Sequence, residues 1–406
     1  MPLAFQADIG LAEIEAMRGE EAGDRRLDLK VEVSGHILER YEPARGALLG
    51  AYVARDLSVS GIRAFEADVG VSHAIFAYTM RLGEEYPSRW VLENLAAAKA
   101  PLITLLPPGD GQVRLGDVRL VEGLREFAEN AGRFDVPLFV HLFPVVEGHV
   151  FEAEEYIIFF RLARSIFRHY APNVALVWGF DAASMAGAMR FFPGRDAVDW
   201  IKLVAYSDVS GDGGFDDFFE LVELFTLAYQ REAPLMLGFG VSHFTASNHS
   251  YFTIEAAAQI EYIYERLVKF PRIKAVLYRN YNDIGGRGSK YAVHGVEVIA
   301  AAYGRAAGAG HFLDFVNNGR EVREVVQLMR SPFTAVMRDY YFYIPMRALV
   351  NCVGLPRAYL DELMGTGTEI DGEMFFAMGH INRVAGADFF VDLEAGVLVF
   401  RAINNE

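Results

Sequence analysis

The chain has almost no cysteine, the residue that builds disulfides and cysteine-based zinc frameworks. It contains 406 residues but a single cysteine, Cys352, so neither an intrachain disulfide nor a cysteine-based metal cluster can form. Its histidines show no His-Glu-x-x-His or comparable zinc-binding spacing, and no transition metal is inferred. We therefore expect Cys352 to be a buried structural residue.

The chain also lacks an excess of positive charge. It has 38 Lys and Arg against 54 Asp and Glu, for a formal net charge of -16. Proteins whose main partner is a nucleic acid or another polyanion need Lys and Arg to displace counterions. The composition therefore predicts no nucleic-acid partner, whereas neutral polymers remain acceptable ligands.

Long hydrophobic runs are missing as well. The apolar stretch that starts at Tyr156 is broken by Arg161 and Arg164, well short of the ~20 apolar residues of a membrane span. The segment after Met1 is too short and too acidic downstream for a secretory leader. We therefore expect no membrane span, and a location inside the cell unless a leader was trimmed before this numbering.

Short apolar runs alternate with longer amphipathic segments through most of the chain. Their continuous hydrophobicity is typical of parallel strands covered on both faces. Helices such as Glu154–His169 and Phe215–Arg231 separate the runs. The eight predicted strands are Leu48–Arg55, Ala74–Met80, Pro101–Leu106, Pro137–Phe143, Val174–Phe180, Trp200–Tyr206, Pro234–Phe239 and Ile273–Arg279.

Eight strand–helix units predict an α/β fold of the (β/α)8 TIM barrel type. The functional site of such a barrel lies at the carboxyl ends of its strands. An open, doubly wound sheet is the alternative, but that fold calls for a Gly-rich phosphate turn after its first strand. The residues from Ala51 to Ser58 contain no glycine, so we favour the barrel.

The pattern changes beyond about residue 310. A charged helix is predicted near Arg320–Met329, followed by the aromatic cluster Tyr340–Tyr343. Two apolar strands around the turn Asp392–Gly396 predict a β-hairpin. The sequence thus predicts a lead-in (1–44), a barrel (45–310) and a small C-terminal α+β module (311–406), whose aromatic cluster is a candidate surface for a protein partner.

Four segments in the middle of the chain form a linked set: Glu154–Arg161, Asn173–Trp178, Phe191–Trp200 and Tyr206. Their order resembles glycoside hydrolase family 26, the β-mannanases and related retaining enzymes with a (β/α)8 fold. In that family the segments are a helix with Tyr and Arg, Asn-Val followed by a Val-Trp strand, and Tyr-Tyr-Pro-Gly-Asp with Val-Asp-Trp. The resemblance spans roughly residues 45 to 300 and implies a barrel with a carbohydrate ligand.

The catalytic positions depart from the family pattern. The family's fourth strand carries the acid/base Glu, and an ungapped match from Pro137 to Gly148 puts Val145 there. Its seventh strand presents the nucleophilic Glu, where this chain has Gly238 and Phe239. Retaining hydrolysis needs two carboxyl groups about 5–5.5 Å apart, so the resemblance implies a pseudoenzyme that has lost both inherited glutamates.

Other carboxylates could take over the chemistry. Glu147 lies two residues beyond Val145, and Asp181, Asp208 and Asp283 follow later strands. Acidic residues are also common helix N-caps at such turns, and we favour a solvated loop carboxylate over a catalytic group for Glu147. Catalytic roles for Glu147, Asp181 and Asp208 therefore stay as an alternative.

Aromatic and polar residues near the strand ends indicate a sugar-binding mouth. Carbohydrate recognition packs flat rings on sugar faces and adds a few donors and acceptors. The resemblance assigns Trp178 and Tyr206 to such positions, although Trp178 could equally be a core residue, and Trp200 is expected in the core. The predicted binding set is His141, His149, Trp178, Tyr206, His243, Arg279, Asn280 and Tyr281.

Two loops resemble ion-binding motifs. Asp208, Ser210, Asp212 and Asp216 occupy positions 1, 3, 5 and 9 of a calcium-type loop with Gly at position 6, but position 12 is Phe219 rather than Glu. A calcium site and a metal-free loop therefore remain alternatives, and no other cofactor is expected. Gly285–Lys290 lacks the spacing of a Walker motif and is predicted to be a flexible loop.

Two functions from different classes remain. The first is a non-hydrolytic barrel that binds a poly- or oligosaccharide or acts as a scaffold in making or exporting a surface glycan. The second is an active endo-glycanase with relocated carboxylates, in which Glu147 is the acid/base. A third possibility is a closed barrel that acts only through its aromatic tail module.

Overall fold

The computed structural model describes residues 24–402 except for twelve short gaps. Those gaps are 36–37, 55–60, 110–114, 135, 147–150, 283–287, 318–327, 339–340, 354, 356, 386–387 and 393–395. For residues 32–35, 328–331, 388 and 401–402 the structure describes the backbone and not the side chains.

The strands and helices are numbered in chain order. The strands are β1 (Arg25–Gly35), β2 (Ala47–Val53), β3 (Ile75–Arg81), β4 (Ala100–Leu106), β5 (Leu138–Leu142), β6 (Val174–Asp181), β7 (Trp200–Ser207), β8 (Leu235–Val241), β9 (Phe244–Thr245), β10 (Ser250–Tyr251), β11 (Ile273–Asn280), β12 (Phe312–Leu313), β13 (Leu328–Arg338), β14 (Tyr341–Pro345), β15 (Thr368–Ile370), β16 (Glu373–Ala377), β17 (Asp388–Asp392) and β18 (Val397–Ala402). The helices are α1 (Ile62–Val69), α2 (Ser88–Ala96), α3 (Val118–Gly132), α4 (Ala153–Tyr170), α5 (Met185–Ala188), α6 (Phe218–Tyr229), α7 (Thr253–Leu267), α8 (Glu297–Ala307), α9 (Met346–Ala348), α10 (Arg357–Leu363) and α11 (Met378–Ala385).

Eight parallel strands close into a barrel. Their order around the barrel is β2, β3, β4, β5, β6, β7, β8 and β11, and β11 pairs back onto β2 with Ala275 opposite Leu48. All eight predicted strands and the (β/α)8 fold are confirmed. The open-sheet alternative is wrong, because an open sheet has no pairing between its first and last strands.

The barrel interior is filled by apolar side chains near the amino ends of the strands. One buried cluster takes residues from all eight strands, including Leu48, Leu102, Phe139, Trp200 and Met236. Side chains alternate between the faces of a strand, so residues two positions further along face the same interior. The core prediction for Trp200 is confirmed, since its ring is buried in this cluster.

The segment just before β2 closes the amino-terminal end of the barrel. The Trp200 indole donates a hydrogen bond to the Arg40 carbonyl at 2.8 Å, and the Tyr41 hydroxyl donates to the Asn173 carbonyl at 2.6 Å. Arg272 Nη1 contacts Glu42 Oε1 at 2.7 Å, with both side chains buried. The barrel therefore has one sealed end, and its carboxyl end is the face left for a ligand.

A second sheet contains strands from both ends of the chain. Its order is β15, β16, β14, β13, β1, β18 and β17. β1 runs antiparallel to β13, with Arg25 opposite Met337, and parallel to β18, with Lys30 opposite Val397. The residues predicted as a lead-in thus supply a central strand, while the division at residues 44 and 310 stays a prediction.

Two local predictions for this region have different outcomes. The predicted hairpin is confirmed, because β17 and β18 pair antiparallel with Phe389 opposite Phe400. The charged helix predicted at Arg320–Met329 falls largely on 320–327, outside the described residues. Its last two positions were wrong, because Leu328 begins β13 and the strand bonds to β1 override the local helical pattern.

The second sheet packs against the carboxyl ends of α6 and α7, beside the sealed end of the barrel. Gln230 Nε2 donates to the Val391 carbonyl at 2.9 Å. The Tyr341 ring lies 4.7 Å from the Arg266 guanidinium carbon and 4.0 Å from Lys269 Nζ. Tyr341 of the predicted aromatic cluster thus contacts the barrel, and Tyr340 lies outside the described residues. None of the described helices combines the length and apolarity needed to cross a membrane.

Candidate functional site

The segments that resemble family 26 hold the barrel frame together. Asp199 forms an ion pair with Arg164, and its Oδ2 accepts a hydrogen bond from the Leu176 amide at 2.7 Å. Arg161 Nε donates to the Pro193 carbonyl at 2.8 Å. These contacts join α4 to β6 and to the segment before β7, so they position the strands without touching the mouth.

Two further members of the same set are also structural. The Tyr156 hydroxyl donates to the Phe143 carbonyl at 2.9 Å, which ties α4 to the end of β5. Asn173 Nδ2 donates to the Val136 carbonyl at 3.1 Å and thereby joins the starts of β5 and β6. Buried backbone carbonyls need such partners, so these residues can persist whatever the chemistry at the mouth.

Trp178 does not line the mouth. Its ring is fully buried on the outer face of β6, where it lies 5.1 Å from the Phe192 ring and 5.6 Å from the Tyr229 ring, measured between centroids. Because side chains alternate along a strand, Trp178 faces the helices while Gly179 faces the interior. The expectation of a sugar-binding Trp178 is therefore corrected in favour of its core reading.

Arg279 and three tyrosines form the upper part of the barrel interior. The guanidinium carbon lies 4.9, 5.8 and 5.5 Å from the ring centroids of Tyr52, Tyr206 and Tyr281. A fourth ring, Tyr291, lies 4.8 Å from Tyr206. Arg279, Tyr206 and Tyr281 were predicted site residues, and the structure brings them together. Tyr52 and Tyr291 were missed, although Tyr52 lies at the end of a predicted strand.

Lys202 lies below these rings, inside the barrel. It is 2% exposed, on the same face of β7 as Trp200 and Tyr206. Burial, and then the nearby positive charge of Arg279, lower its pKa to about 7. The sequence signal for Lys202 was a charged residue in an otherwise apolar strand, on the inward side of the alternation.

Glycines make room for Lys202. A Cβ atom added to Gly238 would lie 3.4 Å from Lys202 Cε. One added to Gly179 would lie 2.4 Å from the Lys202 carbonyl oxygen and 2.7 Å from His141 Nε2. Gly238, one of the two residues that the resemblance aligns with the family's nucleophile, therefore lies next to the end of the Lys202 side chain.

His141 is the third nitrogen-bearing side chain of the interior. It is buried on β5, with Nδ1 3.5 Å from Thr104 Oγ1. Burial, followed by the charges of Lys202 and Arg279, holds its pKa well below the ordinary value. His141 is therefore a neutral imidazole at physiological pH.

The two candidate carboxylates that the structure describes, Asp181 and Asp208, each accept a hydrogen bond from another group of the protein. Asp181 Oδ1 accepts a hydrogen bond from the Ser184 amide at 2.9 Å and caps the short 3-10 helix Ala182–Ser184. Asp208 Oδ1 accepts from the Tyr291 hydroxyl at 2.6 Å. Glu147, His149 and Asp283 lie outside the described residues, and the catalytic roles proposed for these carboxylates stay predictions.

Val145, the residue that the resemblance aligns with the family's acid/base, lies just beyond β5. Its side chain is buried, and its amide donates to the Gly179 carbonyl at 2.9 Å. A valine has no proton to transfer. The extended backbone here continues the pairing between β5 and β6, so Val145 is part of the barrel wall.

Asn280 and His243 bond to the protein itself. Asn280 is fully buried, its Nδ2 lies 2.9 Å from His294 Nδ1, and its Oδ1 accepts from the Val293 amide at 2.8 Å. The buried His243 ring stacks on Tyr251 with centroids 6.2 Å apart. Burial and then Lys290 lower the pKa of His243 to about 4. Both residues anchor loops at the mouth, and their binding roles stay predictions.

The four calcium candidates are not arranged as a metal site. Within the described residues, no group of three or more His, Cys, Asp or Glu could hold a metal ion. Ser210 donates a hydrogen bond to Asp212, which also accepts from the Gly214 amide at 3.2 Å, and Asp208 is turned towards Tyr291. The calcium site predicted at Asp208, Ser210, Asp212 and Asp216 and its metal-free alternative both stay predictions.

Comparisons with known proteins bear on the fold. No family model and no curated protein matches the chain. Among solved structures, a modular endo-β-1,4-mannanase from Cellulomonas fimi is 13% identical, with a TM-score of 0.51 over 71% of this chain and 81% of that one. A family 26 β-mannanase from Bacteroides ovatus is 14% identical, with a TM-score of 0.49 over 68% of this chain and 92% of that one. The resemblance is thus confirmed for the fold: the chain contains a glycoside hydrolase-like (β/α)8 barrel.

Proposed function

We propose that the barrel binds a poly- or oligosaccharide at the carboxyl ends of its strands without hydrolysing it, in the production or export of a surface polysaccharide. One observation carries the proposal. Where the resemblance expects two glutamates, the chain has Val145 and the pair Gly238 and Phe239, and among the described residues Lys202 and Arg279 bring positive charge into the barrel interior.

The sign of the interior charge argues against glycoside hydrolysis. The transition state of that reaction resembles an oxocarbenium ion and carries positive charge. An active site accelerates a reaction by placing opposite charge where charge develops. Lys202 and Arg279 would oppose an oxocarbenium ion, whereas they do not oppose the binding of an intact sugar.

The tyrosines supply the surfaces that sugar recognition needs. Tyr52, Tyr206 and Tyr281 are half-buried and surround Arg279. Flat rings with one exposed side and a polar hydroxyl suit the apolar faces and hydroxyls of a pyranose. This set supports a binding role for the mouth.

The proposal is tested by measuring binding and hydrolysis in parallel. Mannans, mixed-linkage glucans and bacterial exopolysaccharides are screened at high protein loading, with release of reducing ends recorded alongside binding. We expect binding without cleavage. Tyr206→Ala should weaken binding roughly 10-fold, whereas Tyr170→Ala, at the exposed end of α4, should leave it unchanged.

Two results would contradict the proposal. Cleavage by the wild type that disappears in Glu147→Gln would establish the alternative, an endo-glycanase with Glu147 as its acid/base. The absence of both binding and cleavage across the panel would exclude both functions and direct attention to a scaffold role.

A further inference from the structure

Two cations in the barrel interior have no acidic partner in the described part of the chain. Lys202 is 2% exposed and forms no ion pair there, and Arg279 Nε is buried without a hydrogen bond. Buried charges are normally paired, because removing a charge from water is costly. Other buried cations of this protein follow that rule: Arg272 is paired with Glu42, and Lys99 Nζ lies 3.1 Å from Glu66.

The tyrosine rings around Arg279 offset only part of the cost of removing its guanidinium group from water. Three tyrosine faces within 6 Å provide cation–π attraction. A guanidinium group also has five N–H donors in one plane, and aromatic faces cannot accept them as an anion does. The rings hold the side chain in place and leave its donors for a ligand.

We propose that Lys202 and Arg279 bind the carboxylate of an acidic sugar, a uronate unit of the glycan that enters the barrel mouth. The inference rests on the proposed glycan-binding function and names its ligand class. The planar fork of an arginine matches a carboxylate, and the lysine adds a point charge. The rings of Tyr52, Tyr206 and Tyr281 would then contact the sugar that carries the carboxylate.

The overall charge restricts the length of the ligand. The chain has a formal net charge of -16, which repels a long polyanion spread over its outer surface. The positive charge of the interior is local and enclosed by the barrel wall, so it is screened less than surface charge. We therefore expect short oligosaccharides with one or a few acidic units to bind better than long polyuronates.

The test compares an acidic ligand with its neutral counterpart. Titration calorimetry on the full chain uses uronate oligosaccharides and the same oligosaccharides after reduction of the carboxyl groups, which preserves the linkage and removes the charge. We expect the acidic form to bind roughly 10- to 100-fold more tightly, the range of a charge-assisted hydrogen bond.

Variants locate the effect. Lys202→Met and Arg279→Gln should each remove most of this preference, measured as the ratio of the affinities for the acidic and the reduced ligand. Lys30→Met, an exposed lysine on β1, is the matched control and should retain the preference. If Arg279→Gln fails to fold, Arg279→Lys keeps the charge, removes the fork and should still lose part of the preference.

The outcomes separate this inference from the proposed function. Equal affinity for acidic and reduced ligands, or a preference unaffected by both variants, would overturn the carboxylate site and leave glycan binding intact. Tighter binding of a sulfated oligosaccharide than of the uronate would overturn the assignment to a carboxylate. Binding of no oligosaccharide would remove the proposed function itself.

Discussion

Lys202 is held in a position where its charge is unfavourable to the fold. Trp200 lies below it on β7, His141 faces it from β5, Arg279 from β11, and Gly179 and Gly238 from β6 and β8. None of these groups is negative. Protonation of Lys202 therefore lowers the free energy of unfolding, which means that it destabilises the folded protein. An anionic ligand beside Lys202 would offset this cost.

The pH dependence of stability should show that cost. The folded-state pKa of Lys202 is about 7, below its ordinary value of 10.5, so between these values the unfolded state binds more protons and stability rises with pH. Without ligand, the free energy of unfolding should rise by about 2 kcal/mol more between pH 7 and pH 9 in the wild type than in Lys202→Met. Urea denaturation at the two pH values measures this difference.

Lys202→Met should also be more stable than the wild type at pH 7. Replacing buried ion pairs by apolar side chains of similar volume can gain about 1–4 kcal/mol, and we expect a gain within this range for the unpaired charge of Lys202. Lys30→Met should change neither the stability at pH 7 nor the rise of the unfolding free energy between pH 7 and pH 9. A destabilised Lys202→Met with an unchanged slope would mean that Lys202 is uncharged or paired in the folded protein.

A second prediction at this scale concerns two glycines. In Gly179→Ala the new Cβ would lie 2.4 Å from the Lys202 carbonyl oxygen, and such overpacking should cost about 1–3 kcal/mol of unfolding free energy. Gly187 lies in α5 with no atom within 4 Å of an added Cβ. Gly187→Ala should therefore stabilise the protein by about 0.5–1 kcal/mol, and equal effects of the two substitutions would contradict the packing at β6.

At the scale of elements, the ion pair between Glu42 and Arg272 at the sealed end of the barrel joins the segment just before β2 to the start of β11. Glu42 and Arg272 are buried and in contact at 2.7 Å. Glu42→Gln should cost about 3–5 kcal/mol, because it leaves the guanidinium buried without its anion. The exposed pair of Glu261 and Arg305 joins α7 to α8, and Glu261→Gln should change stability by less than about 1 kcal/mol.

Thermal and urea unfolding of both variants provide the comparison. If Glu42→Gln lost as little unfolding free energy as Glu261→Gln, the ion pair of Glu42 and Arg272 would not be what joins the segment before β2 to the barrel.

The barrel strands could be predicted from sequence because each is a continuous apolar run, a property of the strand alone. Whether a given side chain of a strand faces the barrel interior or the helices could not be predicted from the sequence. Trp178 and Gly179 are neighbours on β6, and which of them faces the interior depends on how the sheet closes. For the same reason Lys202 was missed, although it lies on the same face of β7 as Tyr206, which was included in the predicted binding set.

At the scale of the whole molecule, the second sheet depends on residues from both ends of the chain. Leu29 and Val31 of β1 lie in its buried core, with Phe333, Phe389 and Leu398 from the C-terminal region. β1 also lies between β13 and β18, so without it both strands would have unpaired edges. The C-terminal region thus lacks part of its own core and its central strand.

A fragment of residues 311–406 should therefore not fold by itself. We expect narrow amide dispersion in its proton NMR spectrum and no cooperative thermal transition. Joining residues 24–35 to the fragment through a flexible linker should restore both properties. Cooperative unfolding of the fragment alone would contradict this and would support the domain boundary near residue 310.

The sequence by itself determined the eight strands and the barrel, since these follow from local composition. It also determined that the two positions aligned with the family's glutamates are Val145 and Gly238, since this is a matter of residue identity. The tertiary structure decided what no local pattern contains. Barrel closure brought Lys202 of β7 and Arg279 of β11 together and turned Trp178 outward. Strand pairing across more than 300 residues moved β1 into the C-terminal sheet, with Arg25 opposite Met337. Such contacts depend on which elements become neighbours in space, because pairing and packing energies arise only between residues that the fold brings together.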